Sequence, residues 1–108
     1  MAEAIIERGE VDAEAIGQAW LQWEADDGRG EGCLVYDSLR AYDSGIPARD
    51  AGRIVWERDR NRAGNGAVMR CAPIGMLRFR DQDRLVAESI LTSQITHYDP
   101  RCTWGCVA

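Results

Sequence analysis

Apolar residues recur at helical spacing along most of this chain. Four of them near the start lie three or four positions apart and so share one helix face: Ile16, Ala19, Trp20 and Trp23. Similar spacing relates apolar residues in three later segments, within 35–42, 48–55 and 85–91. No segment shows the sustained apolar–polar alternation that is typical of β-strands. The pattern therefore predicts an all-α fold with five to seven helices.

Residues that favour helix ends divide the first half of the chain. A glycine is placed to end a helix over 2–8, and Asp12 is placed to cap the start of the next one. The glycine-rich run 28–32 should interrupt that second helix and form a flexible linker. A third helix is expected over 32–43, and Pro47 suits the first turn of a fourth.

The second half contains three further helical segments. Residues 68–77 should be helical and buried, with Pro73 bending this helix or splitting it in two. Asp81 can cap a helix that is expected to reach about His97. The Asp-Pro pair at 99–100 provides an N-cap and a first helical position for the last helix.

Length and charge exclude several classes of protein. The chain has 108 residues, enough for one domain, and a net charge of −5, which argues against nucleic acid as a partner. No stretch approaches the ~20 apolar residues of a membrane span, and no signal peptide is visible. We therefore expect a cytoplasmic protein with no membrane partner and with reduced cysteines. Cys102 and Cys106 lie near His97, but their spacing favours a packed helix face over a zinc site.

The run from 63 to 77 carries the most distinctive chemistry. Gly64 and Gly66 flank Asn65, so we expect three successive residues at positive φ that turn backbone N–H groups toward an anion. The helix that follows would add its positive dipole end, which favours phosphate. An ordinary Asn-Gly turn is the alternative.

Two charged or titratable residues accompany this loop. His97 is the only histidine, and at a helix C-terminus the dipole favours its charged form. A histidine there can also simply bond the last helix carbonyls. Arg70 lies in an apolar run and needs a partner if it is buried. We expect it to brace the loop rather than to pair with a carboxylate.

Several segments, in this order, resemble the ADP-ribosylglycohydrolase family. The most specific is 64–75 (Gly-Asn-Gly-Ala-Val-Met-Arg-Cys-Ala-Pro-Ile-Gly), followed by Thr-His at 96–97 and Asp-Pro at 99–100. Upstream, Trp-Leu-Gln-Trp at 20–23 and Gly-Ile-Pro at 45–47 look like the W-x-x-W segment and the pre-loop stretch of that family. The likeness implies that the chain is part of an orthogonal helical bundle.

The resemblance also implies a ligand and its contacts. The matching positions that lie against ADP-ribose in the family are Gly64, Asn65, Gly66 and Met69. His97 matches the family histidine that contacts the phosphate and ribose region, which implies a binding role and not that of a general base. The implied partner is an ADP-ribosyl group on a protein residue or on a small acceptor. No residue of this chain matches a catalytic position.

The metal motifs of the family are not matched. Family enzymes hold Mg²⁺ with a Thr-Asp-Asp-Thr motif near the N-terminus and further aspartates near the C-terminus, whereas the Asp-Asp pair at 26–27 lacks the flanking threonines and follows W-x-x-W. We therefore expect 1–108 to be a partial domain that lacks both metal-binding parts and binds no metal itself. Trp20, Trp23 and Trp104 should then lie on exposed faces. A non-catalytic binding or structural relative, like the family's lens crystallins, and an unrelated small helical protein are the alternatives.

Overall fold

The computed structural model describes all 108 residues and is entirely helical, which confirms the predicted fold class. It contains no strand, and no helix is both long and apolar enough to cross a membrane. The seven α-helices are α1 Ala2–Arg8, α2 Ala13–Asp26, α3 Cys33–Asp43, α4 Ala48–Arg58, α5 Ala72–Arg78, α6 Gln82–Gln94 and α7 Pro100–Val107, with one 3₁₀ turn at Val68–Arg70 before α5.

The helix boundaries follow from local capping. Three aspartate side chains accept a backbone N–H in the first turn of a helix: Asp12 from Ala15 at 3.0 Å, Asp81 from Arg84 at 3.2 Å and Asp99 from Arg101 at 2.9 Å. Gly9 ends α1 with φ 76°, the left-handed conformation that glycine adopts without steric cost. The aspartate caps confirm the predicted starts of α2, α6 and α7, and Gly9 confirms the predicted end of α1.

Two predicted helices differ from the observed ones. The segment 68–77 is split at Cys71 into the 3₁₀ turn and α5, which is one of the two outcomes predicted from Pro73. The expectation that this segment is buried is wrong, because Met69 and Met76 are largely exposed. The helix expected to reach His97 ends at Gln94 and continues as a tighter turn. In that turn the Ser93 hydroxyl donates to the His97 carbonyl oxygen at 2.9 Å. This bond gives a partner to a carbonyl that lies beyond the end of α6.

Helix α4 lies at the centre and packs against α2, α3 and α6. Its close contact with α6 requires a residue without a side chain, because a Cβ on Gly52 would lie 2.2 Å from the Gln94 carbonyl oxygen. The core around it consists of fully buried apolar side chains, namely Ile16, Leu39, Ala48, Ala51, Ile74 and Ile95. Buried hydroxyls complete the packing, since Ser38 Oγ donates to the Thr96 carbonyl at 3.2 Å.

The expectation that Trp20 lies on an exposed face is wrong. Its side chain is 8% exposed, and its ring packs under the Arg70 guanidinium with 4.2 Å between Cζ and the ring centroid. Trp23 and Trp104 are 37% and 59% exposed. Exposed apolar side chains also occur in and next to α5, at Met76 and Phe79. Exposed apolar side chains therefore occur in several helices, including α2, α5 and α7.

The contact between α4 and α6 can be tested with one methyl group. Gly52→Ala should lower the free energy of unfolding by about 2–3 kcal/mol, because the new Cβ meets backbone that cannot move as a flexible side chain would. Gly75→Ala is the matched control, since no atom lies within 4 Å of its Cβ position in α5. It should stabilise the protein by about 0.5–1 kcal/mol through helix propensity. Urea denaturation measures both, and equal effects would contradict this packing.

A second prediction concerns acid stability. The Arg101 side chain donates to the Asp99 carboxylate at 2.9 Å. This contact is the main cause that holds the pKa of Asp99 well below its usual range. Trp56 Nε1 donates a further bond to the same carboxylate at 3.1 Å. The ionised form is thus favoured by folding, so its contribution is present at neutral pH and is lost as the pH falls below about 4. Asp99→Asn should destabilise the protein at pH 7, and the difference from wild type should shrink toward acid. A difference that is constant with pH would contradict this assignment.

Candidate functional site

The segment 59–67 connects α4 to the 3₁₀ turn, and its carbonyl groups are held from the protein side. Gly64 O accepts from Cys102 Sγ at 3.3 Å, Asn65 O from the Met69 N–H at 3.1 Å, and Gly66 O from Arg70 Nη1 at 3.3 Å. The N–H groups of Gly64, Asn65 and Gly66 donate to no backbone carbonyl. The loop therefore keeps its acceptors inward and leaves its donors available.

The glycines of this loop serve a different purpose from the one expected. Positive φ occurs at Gly9, Gly28, Gly30 and Gly45, and not at Gly64, Asn65 or Gly66, so the predicted left-handed nest is wrong. Instead, both loop glycines lie against the imidazole of His97. A Cβ on Gly66 would be 3.0 Å from Cε1 and 3.1 Å from Nε2, and one on Gly64 would be 3.3 Å from Nε2. Glycine is required here by close approach.

Arg70 braces the loop from beneath, as predicted. Its guanidinium donates to Gly66 O and to Thr96 Oγ1 and lies over the Trp20 ring. No carboxylate forms a salt bridge with it in the structure. Burial lowers the pKa of Arg70 to about 10, and the side chain therefore remains charged at neutral pH.

His97 is buried, with 4% of its surface exposed, and its ring nitrogens have different partners. Nδ1 lies 2.7 Å from Thr96 Oγ1, which already accepts from Arg70. The Thr96 hydroxyl has no other acceptor in the structure, so its hydrogen goes to Nδ1 and assigns the ring hydrogen to Nε2. Nε2–H is therefore the donor that faces the Gly64–Gly66 loop.

The charge state expected for His97 is wrong. A helix C-terminus was expected to favour the imidazolium, but burial, together with the nearby Arg70 cation, lowers the pKa of His97 to about 4. The ring is neutral at physiological pH. A neutral histidine with a fixed Nε2–H suits hydrogen bonding to a ligand, and its low basicity is poorly matched to general-base work at pH 7.

One cavity of about 650 Å³ opens over this arrangement, a volume typical of small-molecule sites. All five residues that the sequence singled out for ligand binding line it: Gly64, Asn65, Gly66, Met69 and His97. Arg70 and Trp20 also contribute to its wall. Gly66 and His97 are 31 positions apart in sequence, and Gly64 and Cys102 are 38 positions apart. Each pair is in contact in the folded chain.

The glycine-rich run 28–32 was expected to be only a flexible linker, but it also lines this cavity. Gly30, Glu31 and Gly32 line the cavity together with Leu34 and Val35 of α3. Burial and the neighbouring Glu24 carboxyl raise the pKa of Glu31 to about 7, because both disfavour its anion. Sequence reasoning missed Glu31 because nothing local indicates that this glutamate is packed against another carboxyl.

The side chains present do not form a metal site. No group of three or more histidine, cysteine, aspartate or glutamate side chains is placed to hold an ion. Cys102 and Cys106 are buried in α7, where Cys102 Sγ donates to Gly64 O and thereby helps to position the loop. The four cysteines are free thiols.

Comparison with known proteins assigns the chain to a family. The family model for ADP-ribosylglycohydrolase matches residues 1–108, which is the whole chain. The protein therefore belongs to the ADP-ribosylglycohydrolase family. It is 34% identical over 115 residues to the uncharacterized protein YegU of Escherichia coli strain K12, an alignment that covers 99% of this chain and 32% of YegU. The chain thus spans about a third of the length of this relative. No solved structure matches it significantly.

The contact between the loop and the histidine predicts an energetic coupling. Gly66→Ala should cost about 1–3 kcal/mol by overpacking against the ring. His97→Ala should also destabilise the protein, because a buried ring is lost. In the double variant the new methyl group has room, so the combined loss should be smaller than the sum by about 1 kcal/mol or more. Urea denaturation of all four proteins gives the coupling. Gly75→Ala combined with His97→Ala is the additive control, and additivity at Gly66 would contradict the contact.

Proposed function

We propose that this chain provides the ADP-ribose-binding part of an ADP-ribosylglycohydrolase, an enzyme that removes ADP-ribose from a modified protein residue or a small acceptor. One observation carries the proposal. In a member of this family, the loop 64–66 presents backbone N–H groups without backbone partners, next to a neutral histidine, at the wall of a ligand-sized cavity. The proposal places the protein in the cytoplasm, with no nucleic acid or membrane as partner.

The loop is proposed to hold the diphosphate and the adjoining ribose. Backbone N–H groups are effective anion donors when their carbonyls are tied elsewhere, because the peptide planes then cannot rotate away. At Gly64 and Gly66 this tie is made by Cys102 and Arg70. The lack of side chains at both glycines lets the His97 ring lie directly beside the loop.

His97 and Met69 are proposed to complete the contact. Nε2–H of the neutral ring can donate to a phosphate or ribose oxygen, while Nδ1 stays engaged with Thr96. Met69 is 77% exposed at the cavity edge and can pack its flexible thioether on a sugar or base. Neither group is proposed to move a proton in the reaction.

Mg²⁺ belongs to the family enzyme in this proposal, but not to a site built by this chain. Magnesium requires several oxygen ligands in near-octahedral geometry. The only carboxyl groups at the cavity are Glu3 and Glu31, and the structure contains no cluster of three candidate ligands. The residues therefore do not fit the ion, and we assign no hydrolytic step to the chain itself. In the whole enzyme, the metal ligands would come from polypeptide outside these residues.

The lack of a metal-ligand cluster leads to a second candidate function. A non-catalytic relative that uses the fold for binding or structure, as crystallin-like members do, would keep the helical packing and the cavity without needing metal ligands. The loop distinguishes the two candidates, because a purely structural role gives no reason for N–H groups without backbone partners at a cavity wall.

The test is titration of ADP-ribose into the ¹⁵N-labelled chain. We expect the amide resonances of Gly64, Asn65 and Gly66 to shift most. Gly66→Val and Asn65→Ala should weaken binding, and Gly66→Val by about ten- to hundred-fold, since losing bonds to a charged phosphate costs ~1.5–3 kcal/mol. Circular dichroism verifies that each variant is folded.

Gly75→Ala provides the control, because it alters a glycine in α5 that does not line the cavity. Its affinity should equal that of the wild type. If ADP-ribose shifts resonances elsewhere, or if the loop variants bind as well as the control does, the site proposed here is wrong. If the folded wild type binds no ADP-ribose at all, the structural candidate is favoured.

A further inference from the structure

Arg70 is a half-buried cation without an ionic partner, and it forms part of the cavity wall. Most other arginines with a role in packing are paired with carboxylates, for example Arg62 with Asp37 at 2.7 Å and Arg78 with Glu88 at 2.7 Å. The contacts of Arg70 are neutral ones: Gly66 O, Thr96 Oγ1 and the face of Trp20. Two of its five N–H donors are engaged by these bonds.

This arrangement leaves a positive charge uncompensated. Taking a guanidinium out of water is costly unless an anion accompanies it, and burial is the main cause of its lowered pKa. The groups that act in the opposite direction are the thiols of Cys71 and Cys106 and not carboxylates, and burial raises the pKa of the Cys106 thiol. The fold therefore maintains a cation at the cavity at an energetic cost that a bound anion would reduce.

The other titratable groups of the cavity do not remove this charge. His97 is neutral, partly because of Arg70 itself. Glu3 and Glu31 line the cavity, but neither forms a salt bridge with Arg70, and the pKa of Glu31 is raised to about 7. The wall formed by Arg70 and the loop therefore carries a cation that no salt bridge neutralises.

We infer that Arg70 is an anion-binding residue, whose guanidinium supplies the counter-charge for a diphosphate group that is seated on the Gly64–Gly66 loop. The inference rests on the proposed function and deepens it, because it assigns the preference for a charged ligand to a side chain beneath the loop and not to the loop N–H groups alone. The chemistry recognised is that of an oxyanion, either free pyrophosphate or the diphosphate within ADP-ribose.

The experiment titrates three ligands into the chain and follows the loop amides and the Arg70 Nε resonance. The ligands are inorganic pyrophosphate, ADP-ribose and adenosine, which lacks phosphate. The variants are Arg70→Met, which removes the charge but keeps an apolar side chain against Trp20, and Arg70→Lys, which keeps the charge but cannot span Gly66 O and Thr96 Oγ1. Arg49→Met is the control, since it makes the same change in net charge at an exposed position away from the cavity.

Arg70→Met should weaken pyrophosphate and ADP-ribose by about ten- to hundred-fold and leave adenosine unchanged. Arg70→Lys should retain most of the affinity for both anions, and Arg49→Met all of it. Salt should weaken pyrophosphate binding to the wild type more steeply than to Arg70→Met. Equal losses for all three ligands, or an Arg70→Lys variant as weak as Arg70→Met, would show a bracing role only and overturn the inference.

If Arg70→Met does not fold, the resonances of the wild-type protein alone still test the inference. Pyrophosphate should then shift Arg70 Nε together with the loop amides, and shifts elsewhere, or none, would overturn the inference. Failure of the inference and of the proposed function are separable. ADP-ribose binding that survives in Arg70→Met contradicts only the inference, whereas Arg70-dependent pyrophosphate binding without any ADP-ribose binding contradicts only the proposed function.

Discussion

The contacts of the half-buried Arg70 side chain are the interactions on which the rest of the site depends. Its guanidinium joins three separate parts of the chain, namely Trp20 in α2, Gly66 in the loop and Thr96 in the turn after α6. Through Thr96 it also determines which nitrogen of His97 carries the hydrogen, and its charge contributes to keeping that ring neutral. One cation therefore sets the loop position, the histidine tautomer and the electrostatics of the cavity.

Small residues make this arrangement sterically possible. Gly52 lets α4 approach the backbone at the end of α6, and this contact positions the turn that carries Thr96 and His97. Gly17 of α2 similarly allows close packing, because a Cβ there would lie 2.9 Å from the Tyr42 ring of α3 and 3.2 Å from the Ala48 Cβ of α4. Gly64 and Gly66 then fit against His97. The core positions the site through close contacts that a single methyl group would disturb.

Membership of the ADP-ribosylglycohydrolase family and the residues that line the cavity both bear on what this chain can bind. The chain supplies N–H donors, a half-buried cation and a neutral histidine, which suit the binding of an anionic ligand. It does not supply a cluster of oxygen ligands for a metal. The chain spans about a third of the length of YegU.

Local sequence was sufficient to determine the helices of this protein, because helix periodicity and capping involve residues only a few positions apart. Asp12 and Asp99 bond N–H groups two or three residues away, so their role can be read from the order of residues. The brace by Arg70 was also predicted, and the residues predicted to bind a ligand, among them Gly64 and His97, line one cavity.

Tertiary structure decided what the sequence could not. The loop glycines are required by a ring some thirty residues further along the chain, and not by positive φ. The neutral state of His97, the place of Glu31 in the cavity wall and the burial of Trp20 likewise depend on distant partners. Desolvation and the distance between charges determine a pKa, and neither quantity exists until the helices have packed. The sequence therefore predicted five residues that line one cavity, and only the packing determined their charge and their contacts.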